Sequence, residues 1–308
     1  MSVCVVAVVA TFRRPHELAR LLASIRGIES AIVCNNGADF EVRAACESAP
    51  IPTACLDCES NLGCGGGLRL AEEEAWKRFG DRLTHLLVLD DDAVLESDTV
   101  SQLVEIMDRE RASVVYPLVT GADGRVGWTP GLKDREKHRI GASPRSIAEY
   151  RERLGSRIAE FNWAQGICLL VRREAVSAIG FHRADFWVRG EDLDFSLRLT
   201  AQGRGVFVPE VVVKHLPPDT SPASSGPAEY LRHAAMLQNI AYLVCRQAHG
   251  RRIAKSLLGA SRRFVAVWGI NAIPDLLSAL WRGAVRAEPA GEGNGHSFRQ
   301  RFSELVDR

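Results

Sequence analysis

Asp90-Asp91-Asp92 closes an apolar run, His85 to Leu89. Three adjacent carboxylates repel one another, and the arrangement is costly unless a cation offsets the charge. Alternation along an extended backbone sends Asp90 and Asp92 to one side, where both can reach one hard divalent ion. A solvated turn or an acidic helix start would use the same residues without a metal. Further along, Glu191-Asp192 opens a helical pattern carried by Leu193, Leu197 and Leu199. Acids in a first turn favour the helix dipole, and a carboxylate there also serves as a general base when a hydroxyl lies within reach. His215 ends a strand-like run before two prolines. It is either ordinary surface or a third ligand through a neutral imidazole. Gly63-x-Gly65-Gly66-Gly67 ahead of a helix offers backbone amides that can approach a phosphate closely.

These residues need elements to hold them. Val3 to Ala10 is a continuous apolar run, as for a strand buried on both faces of a parallel sheet. Pro15 opens a helix with Leu18, Leu21, Leu22 and Ile25 on one stripe. Strands follow at Ala31–Asn35, near Thr53–Leu56, at His85–Leu89 and at Ser113–Tyr116. Helices are expected from Leu68 to Phe79 and, capped by Ser97, through Arg109. This alternation is that of an α/β, open and mostly parallel sheet, which binds ligands at the carboxyl ends of its strands. Gly121 to Gly155 reads as a long loop with one helix near Arg145–Arg153. A strand at Ile167–Val171, helices from Arg173 and over Asp192–Gln202, and a strand at Val206–Val213 follow. Ala228 to Arg286 is helical in pattern, and Glu288 to Ser297 reads as disordered.

Composition narrows the partners. With 39 Lys and Arg against 38 Asp and Glu in 308 residues, the chain lacks the basic excess of a nucleic-acid binder. No apolar run reaches the roughly 18 to 20 residues of a membrane span. The first residues lack a basic n-region and a small-residue cleavage site, so a cytoplasmic protein is expected. Cys4, Cys34, Cys168 and Cys245 lie in apolar runs and read as core; Cys46, Cys55, Cys58 and Cys64 read as buried thiols, with structural zinc as the alternative. Phe12 to Pro15 lacks the glycines that a dinucleotide fingerprint places after its first strand. From Arg246 to Arg286 eight Lys or Arg face one acid, Asp275, with Phe264, Trp268 and Trp281 interleaved. That pattern suits either a helical cap on the domain or another subunit, or a peripheral contact with the inner face of the plasma membrane through residues 246–286.

Thr11, Asn61-Leu-Gly63, Asp90-Asp-Asp92, Trp163-Ala-Gln-Gly166, Glu191-Asp192 and His215 occur in this order. In that order the chain resembles the family 2 glycosyltransferases with the GT-A fold. The string from Trp187 to Arg198 is similar to the branch of galactofuranosyl- and rhamnosyltransferases. The resemblance implies a Rossmann-like nucleotide-binding sheet over residues 1–216, with the nucleotide sugar held by 1–117 and the acceptor and catalytic part in 118–216. A helical C-terminal extension over 217–287 and a flexible tail over 288–308 complete the expected organisation. The implied reaction is inverting transfer of a sugar from a UDP- or dTDP-sugar to a hydroxyl of a glycan, glycolipid or small molecule, with Mn²⁺ or Mg²⁺. A non-catalytic nucleotide- or sugar-binding relative is the alternative. In the implied roles Asp192 is the base and Glu191 positions it or the acceptor. Asp90, Asp92 and His215 hold the metal, with Asp90 on the ribose as an alternative. Thr11, Arg13, Asn36, Asn61, Gly63, Gly66, Asp90 and Asp91 line the nucleotide pocket, and Trp163 and Trp187 face the acceptor. Asn35-Asn36 stands where many relatives carry Asp-Asn, and His182 where an Asp is frequent, so the donor's identity stays open. So does a homo-oligomer.

Overall fold

Val5–Thr11 forms β1, and its burial on both faces sets it inside the sheet. The computed structural model describes residues 2–133, 147–154, 158–217, 226–246 and 253–285. After β1 come α1 (Pro15–Ser24), β2 (Ser30–Asn36), α2 (Phe40–Glu47), β3 (Thr53–Cys58), α3 (Gly63–Phe79) and β4 (His85–Asp90). Then follow β5 (Ala93–Val94), α4 (Thr99–Arg109), β6 (Val114–Thr120), β7 (Val126–Gly127), β8 (Gly131–Leu132) and α5 (Ile147–Leu154). The chain continues through β9 (Ala159–Trp163), β10 (Cys168–Arg172), α6 (Arg173–Ile179), α7 (Glu191–Gln202) and β11 (Gly205–His215). Three helices close it: α8 (Pro227–Arg246), α9 (Ala254–Trp268) and α10 (Ile273–Val285).

The sheet order is β3-β2-β1-β4-β10-β6-β11-β9-β8. β1, β2, β3 and β4 pair in parallel, as do β6 and β11, while β10 is inserted antiparallel between β4 and β6. The fold is therefore mixed α/β with a mostly parallel central sheet and a helical C-terminal part. The region expected to be helical over 228–286 contains α8, α9 and α10 among the described residues, and they share a second apolar core with Phe186 and Leu197 of the sheet domain. Among the described residues no helix is long and apolar enough to cross a membrane.

Several expectations shift. The helix expected from Leu68 starts at Gly63, because its glycines are contact surface and not a turn. A Cβ on Gly63 would lie 2.0 Å from the Trp187 carbonyl, and one on Gly65 2.2 Å from the Phe186 carbonyl. The helix expected from Ser97 starts at Thr99, with Asp98 in the cap position. The loop expected over 121–155 contains β7, β8 and α5, while residues 134–146 lie outside the described ones. So does the tail expected at Glu288–Ser297. Cys245, expected in the core, is exposed near the end of α8; Cys4, Cys34 and Cys168 are buried. Also not anticipated were α2, capped by the Asp39 side chain, and the strands β5 and β9.

Candidate active site

β4 carries Asp90 to the end of the sheet, and the chain turns there through Asp91 and Asp92 into β5. β11 is shifted in register between Val208 and Val212, around Pro209, which has no N–H to give the ladder. Beyond the shift β11 pairs with β5, His215 opposite Ala93, and the Leu216 N–H donates to the Asp92 carbonyl at 2.9 Å. That pairing sets His215 Nε2 2.8 Å from Asp92 Oδ1 and 3.9 Å from Asp90 Oδ2. Ligand atoms of Asp90, Asp92 and His215 all lie within 4.8 Å of one another; among the described residues theirs is the one cluster of metal-ligand type. His215 Nδ1 is buried without a hydrogen-bond partner, and the buried Asp92 Oδ1 meets only the His215 ring. Two carboxylates and an imidazole converging in this way fit a hard divalent cation. No cluster of cysteines fits the zinc alternative among the described residues.

The neighbours fix the charges. Thr11 Oγ1 donates to Asp91 Oδ2 at 2.7 Å, and Arg14 spans Asp91 at 2.6 Å and Asp92 at 2.7 Å. Burial, with Asp92 next to it, pushes the Asp90 carboxyl well above its ordinary value. Burial also lifts Asp91, to about 6, against the opposing pull of Arg14 and Thr11. Burial works the same way on Asp92, but His215 and Arg14 outweigh it and hold the group below its ordinary value. A carboxylate whose ionised form is disfavoured by a like charge is relieved by an added cation.

Two cavities meet at this cluster. The first, about 710 Å³, is lined by Thr11, Arg14, Asn36, Asn61, Asp90–Asp92 and Trp187. The second, about 910 Å³, is lined by Trp128, Trp163, Glu191 and Asp192 on one side and by α8 and α9 on the other. Cys64, Asp90, Arg189 and His215 border both.

The turn that delivers Glu191 and Asp192 is held from several directions. Arg189 and Gly190 both take positive φ, 58° and 103°. Asn239 of α8 donates to the Arg189 carbonyl at 2.9 Å, and Glu229 pairs with the Arg189 guanidinium at 2.6 Å. The Cys64 N–H donates to the Trp187 carbonyl at 2.8 Å, tying the same turn to α3. Ser196 of α7 bonds both backbone groups of Ala164 at 3.1 Å, which fixes the segment after Trp163 against the catalytic turn. Burial raises Asp192 above its ordinary value, opposed by N–H donors of Leu193, Gly166 and Gly190 and by the charge of His182. Burial, and then the Asp192 charge, raises Glu191 as well, to about 8. Behind this turn lies a fully buried contact. Glu72 of α3 accepts from the His182 N–H at 2.8 Å and lies 2.7 Å from its Nδ1. The His182 ring stacks on Phe195 of α7 at 3.8 Å.

Of the expected residues, Thr11, Asn36, Asn61, Gly63, Asp90 and Asp91 lie on the first cavity. Arg13, expected beside phosphate, is exposed: its φ of 55° turns the side chain out over the Phe12 ring, and Arg14 takes the cavity wall instead. Gly66 is buried in α3, off the wall. Trp163 lines the second cavity, whereas Trp187, expected on the same side, lines the first, packed on Gly63. Sequence reasoning missed Arg14 and Trp128, whose ring meets His215 edge-on at 4.4 Å. An aromatic between Gly127 and Pro130 in a polar stretch was the available signal.

A family model described as glycosyl transferase family group 2 matches residues 85–284. The chain belongs to this family. Similar proteins include the galactofuranosyltransferase GlfT1 of Mycobacterium tuberculosis, 29% identical over 209 residues, covering 66% of each chain. The N-acetylglucosaminyl-diphospho-decaprenol L-rhamnosyltransferase of the same organism is 26% identical over 229 residues, covering 68% of this chain and 74% of its own. The chain thus spans just under two thirds of the galactofuranosyltransferase. S. aureus TarS in complex with UDP-GlcNAc superposes with a TM-score of 0.58 at 14% identity, over 91% of this chain and 80% of TarS. That likeness concerns the fold, which is GT-A, as the order of motifs implied.

Proposed function

We propose that this glycosyltransferase moves a sugar, with inversion, from a UDP- or dTDP-sugar to a hydroxyl of a glycan, glycolipid or small-molecule acceptor, and that it depends on Mn²⁺ or Mg²⁺. The observation that carries the reading is the shared wall of the two cavities: Asp90 and His215 border both, the remaining acids of the triplet lie on one side, and Glu191 and Asp192 lie on the other. The donor belongs in the first cavity, where Asn36, Asn61 and Thr11 offer polar atoms to a nucleotide. Asp90, Asp92 and His215 would hold the metal, whose chemistry is to neutralise the leaving diphosphate. Arg14 faces the same cavity and adds fixed positive charge where negative charge develops.

The acceptor belongs in the second cavity, with Trp163 and Trp128 as stacking faces. Asp192 takes the proton of the acceptor hydroxyl as its oxygen bonds the anomeric carbon and the bond to the diphosphate breaks. Glu191 positions the hydroxyl or Asp192. A single displacement from the face opposite the leaving group inverts the centre. Residues 1–117 form the donor part, 118–216 the acceptor and catalytic part, and 217–287 the helical region that braces the turn. A cytoplasmic place at the inner face of the plasma membrane belongs to the same proposal.

A thermal-shift panel of UDP, dTDP, GDP and CMP with and without Mn²⁺ tests it, since a ligand of the native state raises the unfolding temperature with concentration. A Mn²⁺-dependent shift with UDP or dTDP is expected. No shift with any pair from folded protein overturns the donor reading in favour of a non-catalytic relative.

A further inference from the structure

α9 and α10 each bury one stripe and leave another bare. Ala260 and Phe264 of α9 and Leu276 and Ala279 of α10 pack with Leu237 and Ile240 of α8. Gly283 approaches α8 so closely that a Cβ would meet the Gln238 carbonyl at 2.2 Å. The helices are therefore a cap on the domain, and the question is what meets their other face. On α10 Ile273, Leu277, Trp281 and Val285 repeat every four residues and are 39%, 60%, 68% and 45% exposed. Ile270, Leu258 and Val267 extend the patch. Seven of the ten exposed large apolar residues among the described ones thus fall between residues 258 and 285, a concentration that scattered surface residues do not show.

Charge selects the occupant. Around the stripe Lys255, Arg262, Arg263 and Arg282 are exposed. The region's one acid, Asp275, already accepts a hydrogen bond from Tyr230. A second copy laid on this face would set cations against cations, whereas an anionic lipid surface complements them. Trp and Leu beside Arg on a helix too polar to cross suit the headgroup boundary. α9 also brings Lys255, Gly259 and Arg263 to the rim of the second cavity.

We propose that α9 and α10 dock the protein, apolar stripe down, on an anionic lipid surface, so that the rim of the second cavity lies at that surface. An acceptor with a lipid tail then reaches Asp192 without leaving the bilayer. That last consequence rests on the transferase reading; the docking does not.

Flotation of the full chain with phosphatidylcholine vesicles, with and without about 30% phosphatidylglycerol, tests the docking. The protein is expected to float with the anionic vesicles alone and to be released by about 0.5 M salt. Leu277→Glu with Trp281→Glu, both on the bare face, is expected to weaken binding at least about tenfold, and Arg262→Glu with Arg282→Glu likewise. Unchanged unfolding temperature shows that these variants fold. Wild type that stays with the soluble fraction, or variants that float equally, overturn the proposal. So does conversion of a dimer to a monomer by the Leu277/Trp281 variant with vesicle binding unaltered, which makes the stripe a contact between copies. Flotation is read without any sugar: protein that floats but does not transfer supports docking and sinks the reaction, and protein that transfers but does not float does the reverse.

Discussion

The two cavities share a wall and are built in opposite ways. The first lies at the ends of adjacent parallel strands, and short contacts fix its side chains: Thr11 on Asp91, Arg14 on Asp91 and Asp92, and Asn36 accepting from the Leu62 N–H at 2.9 Å. The second is assembled from pieces far apart in the chain: Trp128 at positive φ, the end of β9, the start of α7 and side chains of α8 and α9. Sheet topology alone nearly makes the first cavity. The second exists only once the C-terminal helices have docked, since α8 and α9 form one of its walls and Asn239 and Glu229 hold the turn before Asp192.

That contrast can be broken in graded steps. Asp192→Asn is expected to lower transfer by about a thousandfold while Mn²⁺-dependent UDP binding persists, because only proton removal is lost. Equal loss of UDP binding would mean that the sides are not separable. Gly63→Ala places a Cβ 2.0 Å from the Trp187 carbonyl at a φ of 73°. It should cost about 3 kcal/mol in urea unfolding, which a change of a few tenths would contradict. Asp92→Ala should weaken Mn²⁺-dependent UDP binding by about a hundredfold in calorimetry, with metal-free binding little altered. Trp163→Ala should raise the acceptor KM about five- to tenfold and leave the donor KM in place; the reverse pattern would move Trp163 to the donor side.

The smallest effect concerns pH. Burial holds Asp192 above its ordinary value, so it is protonated in acid and the rate climbs as pH rises through its midpoint. The N–H donors of Leu193, Gly166 and Gly190 and the charge of His182 pull that midpoint back down. His182→Phe, which keeps a ring against Phe195, should therefore move the climb of kcat to higher pH by about half a unit. An unmoved profile would reduce the Glu72–His182 contact to packing.

Residues tied to strand ends were readable: Asp90 and His215 sit where an extended run stops, whereas Asp92 joins them through the turn into β5 and not by alternation. Arg14 was not, because a positive φ at Arg13 reverses which of two adjacent arginines faces inward. α2 was missed because its eight residues bury few side chains, and β9 because it borders a stretch of weak pattern. Trp187 was expected beside Trp163 but lines the other cavity, because its place depends on Gly63, more than a hundred positions away in sequence, as the 126-residue separation of Trp187 Nε1 from the Asn61 carbonyl it contacts illustrates. Cys245 shows the same limit: an apolar run says that a helix has a buried face, not which residues lie on it.

The glycine start of α3 bears on how this enzyme could be altered. Gly65, Gly66 and Gly67 each weaken the helix by about 1 kcal/mol relative to alanine, and Gly63 begins it at a positive φ. The seam against Phe186 and Trp187 leaves Gly63 and Gly65 no room for a side chain. Random mutagenesis should therefore return very few viable changes there. On the proposed reading, new donor preferences would come from Asn36, Asn61 and their neighbours on the first cavity, which can change side chain without parting α3 from the turn before α7.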